Sequence, residues 1–274
     1  MKKYLTLIML GLFTLNIQAQ KYMELVDSAD IYIEREEWVD AERLIKKALA
    51  TEPSNYNNSL LISNLATVQR NQFNYENALQ NYALALFMTP NAVTLLLNRA
   101  SLYMEIDSLK LAYADFTRVI ELEDDNVEAR YFHGMIAMEQ GDMTLAKGDF
   151  DVILAKNSNN QFGNEAMALW YRLMHEYKLA MPYYDYLISI ANENKEYYMG
   201  RAEVRMGLNQ ISLASEDIAM AQKLDPNDGW IYLLRARLSG LSYRNSEVEK
   251  YIVKAIELGV DADDANIYIN SFNY

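Results

Sequence analysis

The chain of 274 residues contains no cysteine. This excludes thiol catalysis, cysteine-based zinc sites, disulfides and lipid attachment to a cysteine behind a leader. Glycine and proline are also scarce, at ten and four residues, which leaves little material for the turns that many short strands require. The composition therefore favours helices joined by short loops.

Positive charge is in short supply as well. Lys and Arg number 25 against 38 Asp and Glu, so the formal net charge is −13. A surface of this sign repels phosphate backbones and anionic lipid headgroups, which makes nucleic acid a poor partner. A neutral, apolar or basic partner fits the charge better.

Long apolar runs are absent apart from one at the start of the chain. Lys2 and Lys3 precede an apolar run from Tyr4 to Leu15, and a small residue, Ala19, follows. The run is short against the roughly 20 residues needed to span a bilayer, so residues 1–19 are predicted to be a cleavable signal peptide cut between Ala19 and Gln20. Secretion across the inner membrane would leave a periplasmic or envelope-associated protein with no membrane span. The alternative is an uncleaved signal anchor.

An internal repeat dominates the rest of the chain. Two series of small residues recur at intervals of 37, 34, 34, 34, 34 and 34 residues. The first series is Ala29, Ala66, Ala100, Gly134, Ala168, Ala202 and Ala236, and the second is Ala41, Ala78, Ala112, Ala146, Ala180, Ala214 and Val248. The shared three-residue insertion falls just after Pro53, and the repeats start near residues 22, 59, 93, 127, 161, 195 and 229.

Each period contains two apolar patterns of helical spacing separated by a short polar break. In the first repeat, Leu25, Ala29 and Tyr32 share one face, and Trp38 and Ala41 begin the next pattern. Two antiparallel helices can approach closely where side chains are small, so each repeat is predicted to be a helix pair in contact at its two small residues. The first and second helices of a repeat are called A and B below.

This pattern resembles that of the tetratricopeptide repeat (TPR) family, over roughly residues 22–262. The second repeat illustrates the match with Tyr75, Ala78, Tyr82, Ala85 and Pro90. The resemblance implies an all-α fold, a right-handed α-solenoid of seven TPR helix pairs over residues 20–262. Aspartates 261, 263 and 264 favour a helix start, which predicts a short capping helix in the tail, residues 263–274. Pro182, inside a B helix, is predicted to kink it.

Charged residues recur at one pair of positions within the repeats. Basic residues occupy one A-helix position in the third, fourth and sixth repeats, and aspartate occupies the matching B-helix position of the same repeats. The predicted structural ion pairs are Arg99 with Asp115, His133 with Asp149, and Arg201 with Asp217. Arg235 is the exception, since it faces Tyr251. A basic functional site is the alternative reading of these positions.

No constellation of residues predicts catalysis. His133 and His175 are the only histidines, and neither has a second His or a Cys at ligand spacing. The many carboxylates are typical of solvated helix faces, and phosphate-binding glycine loops are absent. The sequence therefore predicts no enzyme activity, no metal site and no cofactor.

The resemblance to the TPR family implies that the A helices line a concave groove that accepts a peptide. The apolar residues at the exposed positions of those helices form the predicted partner-binding groove: Met23, Leu60, Leu97, Met104, Tyr131, Met135, Met138, Phe162, Leu169, Met199, Met206, Trp230 and Leu233. Six of them are methionines, which adapt to varied partner shapes. The alternative is that these methionines fill gaps in the core.

The chaperone-binding members of the family grip a terminal carboxylate with basic residues and asparagines in the groove. Asn64 and Asn98 are present here, but Val26, Asp30 and Thr94 occupy the basic positions. A carboxylate clamp is therefore not expected. The sequence predicts an exported TPR scaffold or adaptor that binds a protein or peptide through an apolar and acidic groove. The alternative function is capture of a small molecule, glycan or peptidoglycan fragment.

Overall fold

The computed structural model describes the backbone of residues 2–270 and the side chains of residues 17–244 and 246–270. Within these residues the fold is all-α, as predicted, and no strand is present. The helices are α1 (Lys2–Glu34), α2 (Trp38–Thr51), α3 (Asn58–Asn71), α4 (Tyr75–Met88), α5 (Val93–Glu105), α6 (Leu109–Leu122), α7 (Val127–Glu139), α8 (Met143–Lys156), α9 (Gln161–Leu173), α10 (Tyr177–Ile190), α11 (Lys195–Gly207), α12 (Ile211–Leu224), α13 (Gly229–Leu241), α14 (Asn245–Glu257) and α15 (Ala262–Asn270).

The helices pack as seven consecutive pairs, from α1 with α2 to α13 with α14. Odd-numbered helices up to α13 are the A helices, and those after α1 begin within one residue of the predicted repeat starts. The chain forms two compact units, unit 1 (Met1–Phe132) and unit 2 (His133–Tyr274).

The two series of small residues form the contact between the helices of each pair. Every alanine of both series is at most 1% exposed, and Gly134 is buried. At Gly134 an added Cβ would lie 2.5 Å from Cε1 of the Phe150 ring on α8, so a larger residue would push the two helices apart. Large side chains such as Phe116 and Tyr82 fill the space beside these contacts and are fully buried.

Each A helix ends in the same left-handed turn. Two residues after α3, for example, the N–H of Phe73 donates to the carbonyl of Arg70, and the N–H of Asn74 donates to the carbonyl of Gln69. This pair of hydrogen bonds is the Schellman motif. Its left-handed residues are Glu36, Phe73, Asp107, Gly141, His175, Asn209 and Tyr243, with φ between 56° and 85°. The motif turns the chain directly into the B helix.

Two features of single helices bear on the sequence predictions. Helix α1 runs without a break from Lys2 to Glu34, so the first A helix is continuous with the predicted leader. Helix α10 continues through Pro182, and the kink there stays a prediction. Over the residues described, none of the helices combines the length and apolar character that crossing a membrane requires.

The predicted capping helix corresponds to α15. It begins at Ala262, where the Asp261 carboxylate accepts hydrogen bonds from the backbone N–H groups of Asp263 (2.8 Å) and Asp264 (3.4 Å). Ala265 of α15 is buried against Leu233 of α13 and Ala255 of α14. The helix therefore covers the last repeat, and residues 271–274 of the predicted tail lie outside the described residues.

Candidate protein-binding face

The partners of all three predicted pairs are in contact. The guanidinium of Arg99 makes two hydrogen bonds to Asp115, with Nε–Oδ2 at 2.8 Å and Nη2–Oδ1 at 2.7 Å. His133 Nδ1 lies 2.6 Å from Asp149 Oδ2, and both residues are buried. These pairs tie the A helix to the B helix inside one repeat, which is a structural role.

The third pair belongs to a larger cluster. Asp217 accepts hydrogen bonds from Arg201 Nε (3.1 Å, to Oδ2) and Nη2 (2.7 Å, to Oδ1), and Arg205 Nη1 also lies 2.7 Å from Oδ2. Arg201 Nη1 also contacts Asp185 at 2.7 Å, on the preceding B helix. The Asp217 side chain is 3% exposed, whereas that of Asp185 is 54% exposed. One arginine therefore has a buried and an exposed carboxylate partner.

Arg235, the exception to the pairing rule, faces Tyr251 as expected. Its guanidinium carbon lies 6.0 Å from the centre of the Tyr251 ring, and its Nη2 donates to the side chain of Gln222. A cation–π contact replaces the ion pair in the last repeat.

The predicted groove residues lie on the A helices, and their exposure follows their position along the helix. The first groove position of every A helix is exposed; these positions hold Met23, Leu60, Thr94, Glu128, Phe162, Glu196 and Trp230. In four repeats the side chain there is large and apolar. These are Met23 (53%), Leu60 (68%), Phe162 (50%) and Trp230 (43%). The half-buried members are Leu97, Met104, Tyr131, Met135, Leu169 and Met199. We call the exposed and half-buried members of the predicted set the A-face of their unit.

Three predicted groove residues are core residues, and the prediction was wrong for them. Met138 is 8% exposed, Met206 is 4% exposed, and Leu233 is fully buried. Met206 packs in a core cluster with Ala202 of its own helix, and Leu233 is covered by Ala255 and the C-terminal helix. For these two methionines the gap-filling alternative is correct.

The A-face of unit 1 has an acidic border. Burial, followed by the charges of Asp27 and Glu34, raises the pKa of the Asp30 carboxyl above its ordinary value. The three carboxylates share one side of α1, so the negative charges of Asp27 and Glu34 disfavour ionisation of Asp30. At the last residue of α5, Glu105 accepts hydrogen bonds from Tyr75 (2.6 Å) and Arg70 (2.7 Å). The hydrogen bond from Tyr75, more than any other favourable contact, lowers the pKa of Glu105.

In unit 2 a polar cluster that the sequence analysis did not identify joins three A helices. Glu203 of α11 pairs with Arg172 of α9, and Arg237 Nη1 of α13 lies 3.7 Å from Glu203 Oε1. Tyr268 of α15 donates to Glu203 Oε1 at 2.7 Å. The sequence does contain a pattern that indicates this cluster. The charge at the groove positions alternates along successive A helices, from basic (Arg172) to acidic (Glu203) to basic (Arg237). Neighbouring groove positions therefore do meet within unit 2.

Groups of three or more His, Cys, Asp or Glu residues able to hold a metal ion do not occur in the described part of the chain. His175 lies in the turn before α10, where its Nδ1 is 2.7 Å from the Tyr177 hydroxyl.

Comparison with known proteins points to one fold. No protein-family model matches the chain. A solved tetratricopeptide repeat protein from Parabacteroides merdae is similar with a TM-score of 0.73 and 27% identity, covering 92% of this chain and 98% of that one. PilF of Pseudomonas aeruginosa has a TM-score of 0.64 at 19% identity over 76% of this chain and 94% of its own. PilW, a type IV pilus biogenesis factor, has 0.65 at 16% over 78% and 97%.

Among curated proteins, DnaJ homolog subfamily C member 3 of Gallus gallus is 27% identical over 141 residues, which is 46% of this chain. The chain spans only 28% of the length of that relative. The repeat of small residues at 34-residue spacing, the seven helix pairs and these structural neighbours agree. The chain therefore has the fold of the tetratricopeptide repeat proteins.

Proposed function

We propose that this chain is an exported scaffold or adaptor that binds a peptide segment of another protein on its A-faces, within a bacterial periplasmic or envelope complex. One observation carries the proposal. The first groove position of all seven A helices is exposed, and four of these positions hold Met, Leu, Phe or Trp. Large aromatic side chains at half exposure are the usual anchors of protein interfaces.

The charge of the chain sets the chemistry of the partner. Asp27, Asp30 and Glu34 border the unit-1 A-face, and the charges of Asp27 and Glu34 disfavour ionisation of Asp30. A partner with basic residues beside an apolar stripe would relieve this repulsion and cover Met23 and Leu60. An anionic partner would add to it.

The structural neighbours support the two parts of the proposal. YrrB, which has a TM-score of 0.52 over 68% of this chain, is a TPR protein with an unusual peptide-binding site. PilW is a type IV pilus biogenesis factor. YrrB relates to the peptide-binding part of the proposal, and PilW, through pilus biogenesis, to the part that places the chain in a larger assembly.

Replacing Tyr131 or Phe162 by alanine is expected to weaken partner binding about tenfold or more, because an anchor at an interface contributes about 1–2 kcal/mol or more. The measurement begins with affinity capture from the native envelope and identification of the captured protein. Its affinity for each purified variant is then determined by calorimetry.

Leu179→Ala is the matched control for Phe162→Ala. Leu179 is also 50% exposed, but it lies on the B helix α10. Its replacement is expected to leave the affinity unchanged. Equal losses of affinity for Phe162→Ala and Leu179→Ala would exclude the A-faces as the binding surface. Unchanged affinity for both Tyr131→Ala and Phe162→Ala would exclude them as well.

The alternative function, capture of a small molecule, glycan or peptidoglycan fragment, is supported by the exposed rings of Phe162 and Trp230. Titration of the purified chain with peptidoglycan fragments distinguishes it from the leading proposal. Saturable binding that is lost in Trp230→Ala would favour the alternative.

Export is part of the proposal and makes its own prediction. The apolar run from Tyr4 to Leu15 is short against the roughly 20 residues of a membrane-spanning helix, so the mature protein is expected to begin at Gln20. N-terminal sequencing of the protein from a periplasmic extract checks this. An intact N-terminus in the membrane fraction would establish the uncleaved anchor instead.

A further inference from the structure

The C-terminal helix places one of its side chains on the A helices of unit 2. Tyr268 of α15 lies against α13, where its ring contacts the Trp230 ring edge-on with centres 6.0 Å apart. Its hydroxyl reaches α11 and donates to Glu203 Oε1 at 2.7 Å. Trp230 occupies an exposed groove position, and Glu203 occupies a groove position of the preceding repeat. The chain therefore covers part of its own A-face.

The acceptor of this hydrogen bond is held in place from two sides. Arg172 of α9 pairs with the other oxygen of Glu203, and Arg237 of α13 lies 3.7 Å from the oxygen that Tyr268 contacts. The side chains of Glu203 and Arg237 are 14% and 8% exposed. Burial, with the charge of Glu203, holds the pKa of the Tyr268 hydroxyl well above its ordinary value, so the hydroxyl stays a neutral donor.

This arrangement selects one kind of side chain. A phenylalanine would fill the space beside Trp230 but would leave Glu203 without its hydroxyl donor. A lysine or arginine would place a third positive charge beside Arg172 and Arg237, and a carboxylate would face Glu203 directly. An aromatic ring that carries a hydroxyl satisfies both the apolar contact and the acceptor.

The helix that supplies the tyrosine is only nine residues long. Isolated helices of this length are marginal in water, so α15 depends on its contacts with α13, α14 and Glu203. It is joined to α14 through Gly259, whose φ of 97° is readily adopted by glycine alone. A helix this short can dissociate from α13 and α14 by local unfolding while the helix pairs beneath it stay folded.

We propose that Glu203, Trp230 and Arg237 form a tyrosine-binding subsite of the A-face. Its external ligand is a partner helix that presents a tyrosine side chain. Tyr268 of α15 occupies the subsite until that helix displaces it. This inference rests on the proposed binding function and specifies its partner in repeats 6 and 7.

The test uses the full-length chain labelled with ¹⁵N at tryptophan. Its three indole N–H signals come from Trp38, Trp170 and Trp230, and Trp230→Phe assigns the last. The probe is a synthetic peptide with the sequence of residues 259–270. In the Tyr268→Ala chain the peptide is expected to shift the Trp230 signal saturably and to leave Trp38 and Trp170 unchanged. Trp38 and Trp170 signals at their wild-type chemical shifts also show that the variant is folded.

Two comparisons test whether Tyr268 competes with the peptide and whether the tyrosine hydroxyl contributes to binding. The wild-type chain is expected to need about tenfold more peptide for the same shift, because its own Tyr268 competes. A peptide with phenylalanine in place of the tyrosine is expected to bind the Tyr268→Ala chain about tenfold more weakly.

Equal midpoints for the wild-type and Tyr268→Ala chains would show that α15 does not compete and would overturn the proposal. The absence of a Trp230 shift in the Tyr268→Ala chain would overturn it as well. A Trp230 shift that depends on protein concentration without peptide would identify a second copy as the occupant and would also contradict it. None of these outcomes affects the binding test at Tyr131 and Phe162, so the two proposals fail separately.

Discussion

Asp217→Ala is expected to lower the free energy of unfolding by about 3–5 kcal/mol. Asp217 is the shared acceptor of Arg201 and Arg205, and its side chain is 3% exposed. Removal of the carboxylate leaves two arginines at 15% and 13% exposure without their buried partner. Urea denaturation followed by circular dichroism measures the loss.

The same arginine provides the control. Asp185 also lies 2.7 Å from Arg201, but its side chain is 54% exposed. Exposed ion pairs contribute about 0–1 kcal/mol, so Asp185→Ala is expected to change stability by less than about 1 kcal/mol. Similar losses for the two variants would mean that burial does not determine the strength of these pairs.

Phe150→Ala is expected to destabilise the chain by about 3–5 kcal/mol. Phe150 is fully buried and packs on Gly134 of the facing helix. Since Gly134 has no side chain to move into the space, a large cavity would remain. Thermal and urea unfolding both report this loss.

Phe162→Ala is the matched substitution on the surface of the same unit. Its ring is 50% exposed, so the loss is expected to stay below about 1 kcal/mol. This comparison also shows whether Phe162→Ala is folded when its partner binding is measured. A Phe150→Ala chain as stable as Phe162→Ala would contradict the packing described for the fourth repeat.

The fold could be predicted because one physical requirement recurs in every repeat. Two helices approach closely only at small residues, so Ala66 and Ala78 and their equivalents mark each pair, and the spacing gives the helix starts. The ion pairs could be predicted for the same reason. Arg99 and Asp115 occupy matching positions of two helices whose contact the small residues already define.

The candidate site was predicted less completely, because it depends on contacts beyond one repeat. Position along an isolated helix marks Met206 and Leu233 as exposed, yet residues of neighbouring helices cover both. Tyr268 and Glu203 lie 65 residues apart in sequence, and their hydrogen bond follows from where α15 packs. Repeat periodicity contains no information on a helix outside the repeats.

The left-handed turns were also beyond prediction from residue type. Phe73 and Tyr243 are bulky residues with φ of 59° and 58°, where glycine or asparagine is expected. Backbone hydrogen bonds of the Schellman motif hold them there, and both side chains point to solvent at 77% and 93% exposure. The tertiary pairing of the helices overrides the local preference.

These turns have a consequence for how the repeat can change in evolution. Every A-to-B connection keeps one length, because adding a residue would break both hydrogen bonds that close the turn. The only length change in the array, the three extra residues after Pro53, lies in a B-to-A connection instead. Insertions, natural or engineered, are therefore accommodated after B helices. The left-handed position can vary in side chain, from Glu36 to Tyr243, without altering the frame of the repeat.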